Sequence, residues 1–187
     1  IRNIANHGSY GFWLGGSDQT VLIGNEAAFN GLTNGYHNAP EGGFQHGGIV
    51  IVGGSSSHTL IAGNNLHDNN GAGIAFRGDV GSQGRNWQTE HWIIQQNRIA
   101  NNRFGIWGRW GDAIVLAGNV FTNNSQGNFL TNVSNLTELP LPPGGQSPPV
   151  AEILGPEVAL VGRPVRFAAA SSRDLAGRPL NFRWWLA

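Results

Sequence analysis

Arg77, Arg109 and His46 are the residues of this chain best suited to chemistry on a charged sugar. An arginine fork grips a carboxylate through two parallel hydrogen bonds. An imidazole takes up a proton near neutrality. With His46 as base and Arg77 or Arg109 neutralising the acid group as charge develops, the proton beside a uronate carboxyl can be removed. That step leads to β-elimination or epimerisation. Trp13 and Trp107 are matching binding groups, because an indole stacks on the apolar face of a sugar ring. His37 and Glu41 share a loop with His46, and Glu90 lies on a second loop. Glu41 and Glu90 would form a glycosidase acid/base pair if the fold brought them together. Each residue also has a plainer reading. The histidines could bond loop backbone, the glutamates could be solvated loop carboxylates, and the tryptophans could be packed beneath loops.

The elements that must position these residues form a repeat. Gly11-Phe12-Trp13-Leu14 leads to Val21-Leu22-Ile23-Gly24-Asn25, and Gly48-Ile49-Val50-Ile51 leads to Leu60-Ile61-Ala62-Gly63-Asn64. Gly73-Ile74-Ala75-Phe76 leads to Trp92-Ile93-Ile94-Gln95-Gln96-Asn97, and Gly105-Ile106-Trp107-Gly108 leads to Ile114-Val115-Leu116-Ala117-Gly118-Asn119. The Asn anchors lie 39, 33 and 22 residues apart. The shortest spacing is the bare repeat, which at about 3.3 Å per residue makes one turn of three short strands. The longer spacings carry insertions. Such a repeat predicts a solenoid, in which each turn buries its apolar face by stacking on the next. After each anchor a short segment ends again in Asn: Asn30, Asn70, Asn102 and Asn124. Asn is expected at these corners because it tolerates the left-handed backbone conformation, and stacked Asn side chains can bond along the axis.

The pattern resembles the right-handed parallel β-helix of the pectate-lyase-like superfamily, over residues 1–139 and about five coils. The resemblance implies that the Gly-Ile steps are first strands, that residues 113–118 and their equivalents are second strands, and that residues 98–102 and their equivalents are third strands. With Phe12, Ile49, Ile74 and Ile106 facing inward, alternation turns Trp13, Val50, Ala75 and Trp107 outward, with Arg77 and Arg109 two positions further on. The insertions between Asn30 and Gly48 and between Arg77 and His91 would then wall a groove floored by the first strands. In that superfamily substrates lie along this face, which implies a polysaccharide partner. The Asp-Pro-His-Asp arrangement of mannuronan epimerases is absent from the sequence. A non-catalytic glycan-binding, adhesion or spacer protein is the alternative.

Residues 140–149 are Pro-rich and predict an extended linker. From Val150 the repeat is gone. The Gly155-Pro156 step, the Ser171-Ser172-Arg173-Asp174 turn with Gly177, and Phe182-Arg183-Trp184 resemble the first half of a polycystic-kidney-disease-type (PKD) immunoglobulin-like sandwich. Trp185-Leu186 departs from that family, where an acidic residue and another aromatic are usual. The expected class is thus all-β, a right-handed parallel β-helix followed by a partial β-sandwich over residues 150–187. This resemblance implies a secreted, extracellular or cell-surface bacterial protein. The chain starts inside the repeat and stops in an apolar strand-like run, and so reads as a piece of a longer protein.

Composition narrows the rest. The 187 residues have zero formal net charge, no Cys and no Lys. No basic patch suggests a nucleic-acid partner, and no disulfide or thiolate chemistry is available. No apolar run approaches the roughly 20 residues that span a bilayer. Calcium is common in the resembled superfamily, and Asp18, Asp79 and Asp112 are candidate oxygen ligands. They form no recognisable metal loop, and no other cofactor is indicated.

Overall fold

The computed structural model describes residues 1–31, 47–52, 56–80, 86–87 and 89–140, together with Arg166, Ala168 and Ser172. The expected linker, and the expected half-sandwich apart from those last three residues, lie outside the described residues. All the strands of the described residues fall in one compact unit, Ile1–Pro140. Among the described residues every regular element is a β-strand, and no helix is long and apolar enough to cross a membrane.

The chain visits three parallel sheets in turn and repeats the circuit. The first sheet aligns Phe12–Leu14, Ile49–Val52, Ala72–Arg77, Phe104–Asp112 and Phe129–Ser134. The second aligns Val21–Ile23, Leu60–Ala62, Ile93–Gln95, Val115–Ala117 and Thr137–Leu139. The third aligns Glu26–Ala28, Asn65–His67, Arg98–Ala100 and Val120–Thr122. Every pairing in these three sheets is parallel and in register, so like residues stack. Phe12, Ile49, Ile74 and Ile106 form one inner column. Leu22, Ile61, Ile94 and Leu116 form another, and Ala27, Leu66 and Ile99 a third. The three columns meet in a single buried core. Each fully buried Ile or Leu contributes about 1.5–3 kcal/mol of apolar transfer.

The glycines that open each first strand have a steric cause. A Cβ on Gly11 would lie 2.5 Å from the Gly48 carbonyl oxygen, and one on Gly48 would lie 2.8 Å from that of Gly73. The column is packed backbone on backbone, and any side chain would part the circuits.

Two ladders of Asn, buried except toward their ends, hold the corners. From the second sheet to the third, Asn3, Asn25, Asn64, Asn97 and Asn119 are joined in series. From the third to the first, Asn30, Asn69, Asn102 and Asn124 are joined likewise. The amide of Asn64 uses its full capacity. Its Oδ1 accepts from the backbone N–H and Nδ2 of Asn25, and its Nδ2 donates to Leu22 O and to Asn97 Oδ1. A buried amide with all four bonds made carries no desolvation penalty that goes unanswered.

Two details of the corners differ from expectation. The ladder residue in the second circuit is Asn69, with exposed Asn70 beside it. The left-handed conformation belongs to the residue before each ladder Asn rather than to the Asn itself. Gly24, Gly63, Gln96 and Gly118 have φ of 62°, 60°, 54° and 58°, and Phe29, Asp68, Asn101 and Asn123 repeat this at the other ladder. The Asn is selected by its hydrogen bonds, and the turn is made one position earlier.

Candidate functional site

The outer face of the first sheet has the predicted register. Trp13, Val50, Ala75, Trp107 and Phe129 occupy one column across adjacent strands. Two residues on, Val52, Arg77, Arg109 and Thr131 occupy the next. Arg77 and Arg109 are therefore nearest neighbours on adjoining strands, about 4.8 Å apart along the axis.

Exposure of this face departs from expectation at Trp107. Its side chain is 3% exposed, and its ring stacks on Phe129 with centroids 5.9 Å apart. Val50 and Ala75 are also buried and join Ala72, Phe104 and Trp107 in a second apolar cluster outside the solenoid core. Alternation correctly turned these residues away from the core, but the face they reach is itself covered. Trp13 is 51% exposed and meets the Tyr10 ring edge-on at 4.6 Å. Burial raises the pKa of the Tyr10 phenol.

Trp110 was not anticipated. Simple alternation would point it inward, opposite to Arg109. Its φ of 55° breaks the alternation, and its ring packs against both guanidinium groups. The Arg109 Cζ lies 4.4 Å from the ring centroid and the Arg77 Cζ 5.6 Å. A large aromatic in the left-handed region is a true backbone outlier. Its register neighbour on the next strand, Asn132, has φ of 54°. The flanking Gly108 and Gly111 lie over the Phe76 ring, where a Cβ would come within 2.2 and 3.2 Å of it. The signal available in the sequence was this Gly-Arg-Trp-Gly spacing, which leaves no core position for the indole.

The kink is also where the second insertion emerges. Arg109 and Gly111 are separated by Trp110 alone, whereas their partners Arg77 and Thr89 are separated by residues 78–88. Strands Asp79–Val80 and Asn86–Trp87 of that insertion pair antiparallel, as a hairpin rooted beside the arginines. His46, His37 and Glu41 lie outside the described residues.

The acids occupy a different place. Glu90 is exposed at the corner between the first and second sheets, in register with Ser57 and Asp112. Asp18 accepts from the Ser57 N–H and hydroxyl at 2.8 and 2.9 Å. Asp112 accepts from Ser134 Oγ and Asn135 Nδ2, both at 2.7 Å. The Ser134 bond first, then that of Asn135, lowers the Asp112 pKa. His58 and His91 stack at this corner with centroids 5.0 Å apart. Among the described residues no group of three His, Asp or Glu side chains could hold a metal ion. His67 ends the strand Asn65–His67 and meets Asp68 Oδ2 through Nδ1 at 2.6 Å.

The described part of the first-sheet face thus brings together Arg77, Arg109 and Trp110, with Trp13 further along, and sets Glu90 on the neighbouring corner. Such an arrangement can hold a planar anion attached to a ring. No protein-family model, no curated protein and no solved structure matches this chain.

Proposed function

We propose that this protein binds an acidic polysaccharide at the half-buried Arg77, Arg109 and Trp110 on the outer face of its first sheet. The observation that carries the reading is the placement of Arg77 and Arg109 side by side on adjoining strands, both against Trp110. Two guanidinium groups spaced by one strand suit the carboxylates of a uronate chain. An aromatic between them suits its rings. The repeated parallel circuits support a right-handed β-helix of about five coils, since parallel crossovers are almost always right-handed. They also support the likeness to the pectate-lyase-like superfamily. A PKD-type half-sandwich over residues 150–187, joined through a linker at 140–149, is part of the same reading. So is an extracellular or cell-surface setting.

Catalysis as a lyase or epimerase is the second reading. It is favoured by the same arginine pair, because neutralising the carboxylate is what makes the neighbouring proton acidic. His46 is the base it requires.

The test is titration of the full chain with alginate, pectate and hyaluronan, with and without calcium, alongside ultraviolet absorbance of unsaturated product. The expected result is binding that weakens about tenfold or more in Arg77→Ala and Arg109→Ala. A smaller loss is expected in Trp110→Asn, which keeps a residue tolerant of the kink. Product that disappears in His46→Ala would establish the lyase. An unchanged affinity in the folded double Arg variant would overturn the site.

A further inference from the structure

A second groove runs along the corner between the third and first sheets, with a volume of about 780 Å³. Its lining includes Phe29, Asp68, Asn101, Arg103, Asn123 and Gln126. None of these belongs to the outer face of the first sheet, so the groove stands apart from the arginine pair.

Phe29, Asp68, Asn101 and Asn123 take one position in four successive circuits, each left-handed, with φ between 52° and 56°. They stand at the strand repeat of about 4.8 Å. Beneath them run the ladder residues Asn69, Asn102 and Asn124, whose hydrogen bonds fix the corner backbone. The row is therefore held in place before any ligand arrives, which lowers the ordering cost of binding. Asn101 and Asn123 are exposed, and neither amide side chain bonds another described residue. Each offers a paired donor and acceptor. Phe29 is half-buried, stacked on His7 at 5.2 Å and met edge-on by His67 at 5.5 Å, which fixes its ring beside the row.

Charge sets the ligand class. The single acid, Asp68, is already engaged by His67 at 2.6 Å, and the single cation, Arg103, lies over the Phe104 ring. The groove has no net charge to attract a polyanion. It is long, open and lined by amides.

We propose that this groove is a binding site for an uncharged polyhydroxylated chain, a neutral oligosaccharide, with the amides of Asn101 and Asn123 reading its hydroxyls and the exposed part of Phe29 as an apolar contact. The proposal is independent of the first-sheet reading, and either can fail alone.

Calorimetric titration of the full chain with cellohexaose, xylohexaose, mannohexaose and maltohexaose tests it. At least one should bind. Asn101→Gly/Asn123→Gly removes both amides while keeping the left-handed corner accessible, and should weaken that binding about tenfold or more. Arg77→Ala/Arg109→Ala should leave it unchanged. If the double glycine variant does not fold, Gln126→Ala, an exposed change, takes its place and should also weaken binding. Failure of all four oligosaccharides to bind would overturn the proposal. So would unaltered affinity in a folded groove variant.

Discussion

Asn64 and Asn97 are joined twice. The Oδ1 of Asn97 accepts from the backbone N–H of Asn64 and from its Nδ2, both at 2.9 Å, and all the atoms involved are buried. The Nδ2 of Asn97 meanwhile donates to Ile61 O at 3.0 Å. One side chain thus satisfies two backbone groups of the preceding circuit, and water cannot replace it.

Asn97→Ala should accordingly destabilise the protein by about 3–5 kcal/mol. It leaves two donors of Asn64 buried without partners and removes one bond to the Ile61 carbonyl. Asn65→Ala, which removes only an exposed bond from Arg98, should change stability by about 0.5 kcal/mol or less. Urea unfolding of the two variants at unchanged m-value measures both. A cost for Asn97→Ala no larger than for Asn65→Ala would refute the ladder's role.

Gly108 is sterically locked by Phe76. Gly108→Ala would set its Cβ 2.2 Å from Phe76 Cζ and should cost about 1–3 kcal/mol. Shortening the opposing side chain should relieve it. In the pair Gly108→Ala/Phe76→Leu the combined loss should fall below the sum of the single losses by about 0.5 kcal/mol or more. Thermal unfolding of the full cycle is the check, and strict additivity would show that the clash is absorbed elsewhere.

Corner conformation can be tested with opposite signs. Gly24 has φ of 62°, and the nearest atom to an added Cβ is the Arg2 side chain at 3.5 Å. Gly24→Ala therefore probes backbone strain alone and should cost about 1 kcal/mol. Ala113 has φ of 51°. Ala113→Gly releases the same strain and should stabilise by about 0.5 kcal/mol after the entropy of the freer unfolded chain is counted. Equal signs for the two changes would contradict this account.

Asp112 makes stability depend on acid. Its folded pKa is lowered below the ordinary 3.8 by the Ser134 and Asn135 bonds. The unfolded state therefore takes up the proton first as pH falls. The stabilisation is fully present above about pH 4, in line with the ordinary carboxylate value, and is lost as pH drops through the lowered folded value. In melting curves recorded across this range, the gap between the wild-type protein and Asp112→Asn should narrow as pH falls. A gap that is independent of pH would mean that the bonds to Asp112 do not distinguish its charged form.

The sequence made the circuits legible because the same steric and hydrogen-bonding demands recur at each of them. Gly11, Gly48, Gly73 and Gly105 mark backbone contact, and Asn25, Asn64, Asn97 and Asn119 mark the ladder. The register that pairs Arg77 with Arg109 followed from aligning the steps at Gly73 and Gly105, and their shared face from alternation. What alternation could not show was where alternation stops. Trp110 escaped notice because a left-handed residue inside a strand resets the inward and outward faces. The burial of Trp107 was hidden because it depends on Phe104 and Phe129, which reach it from the start of its own strand and from the next circuit. The bonds between stacked Asn side chains were expected and are present, but the left-handed corner assigned to the same Asn lies one residue before it.

The side-chain to side-chain bonds of both Asn ladders run one way: each Nδ2 that bonds another ladder amide donates to the Oδ1 of the later circuit. The stack therefore has a chemical polarity, with hungry acceptors facing one end and hungry donors the other. A duplicated block of 22 residues ending at Asn119 would bring its own Asn102 and Asn119 and could be spliced in with every rung intact. A block missing either amide would leave a broken rung in the interior. Lengthening of this protein is thus quantised in whole circuits, while the position of the kink at Trp110 accepts residues 78–88 in the neighbouring circuit without loss of register on either side. Growth along the axis and variation at the surface are separately encoded.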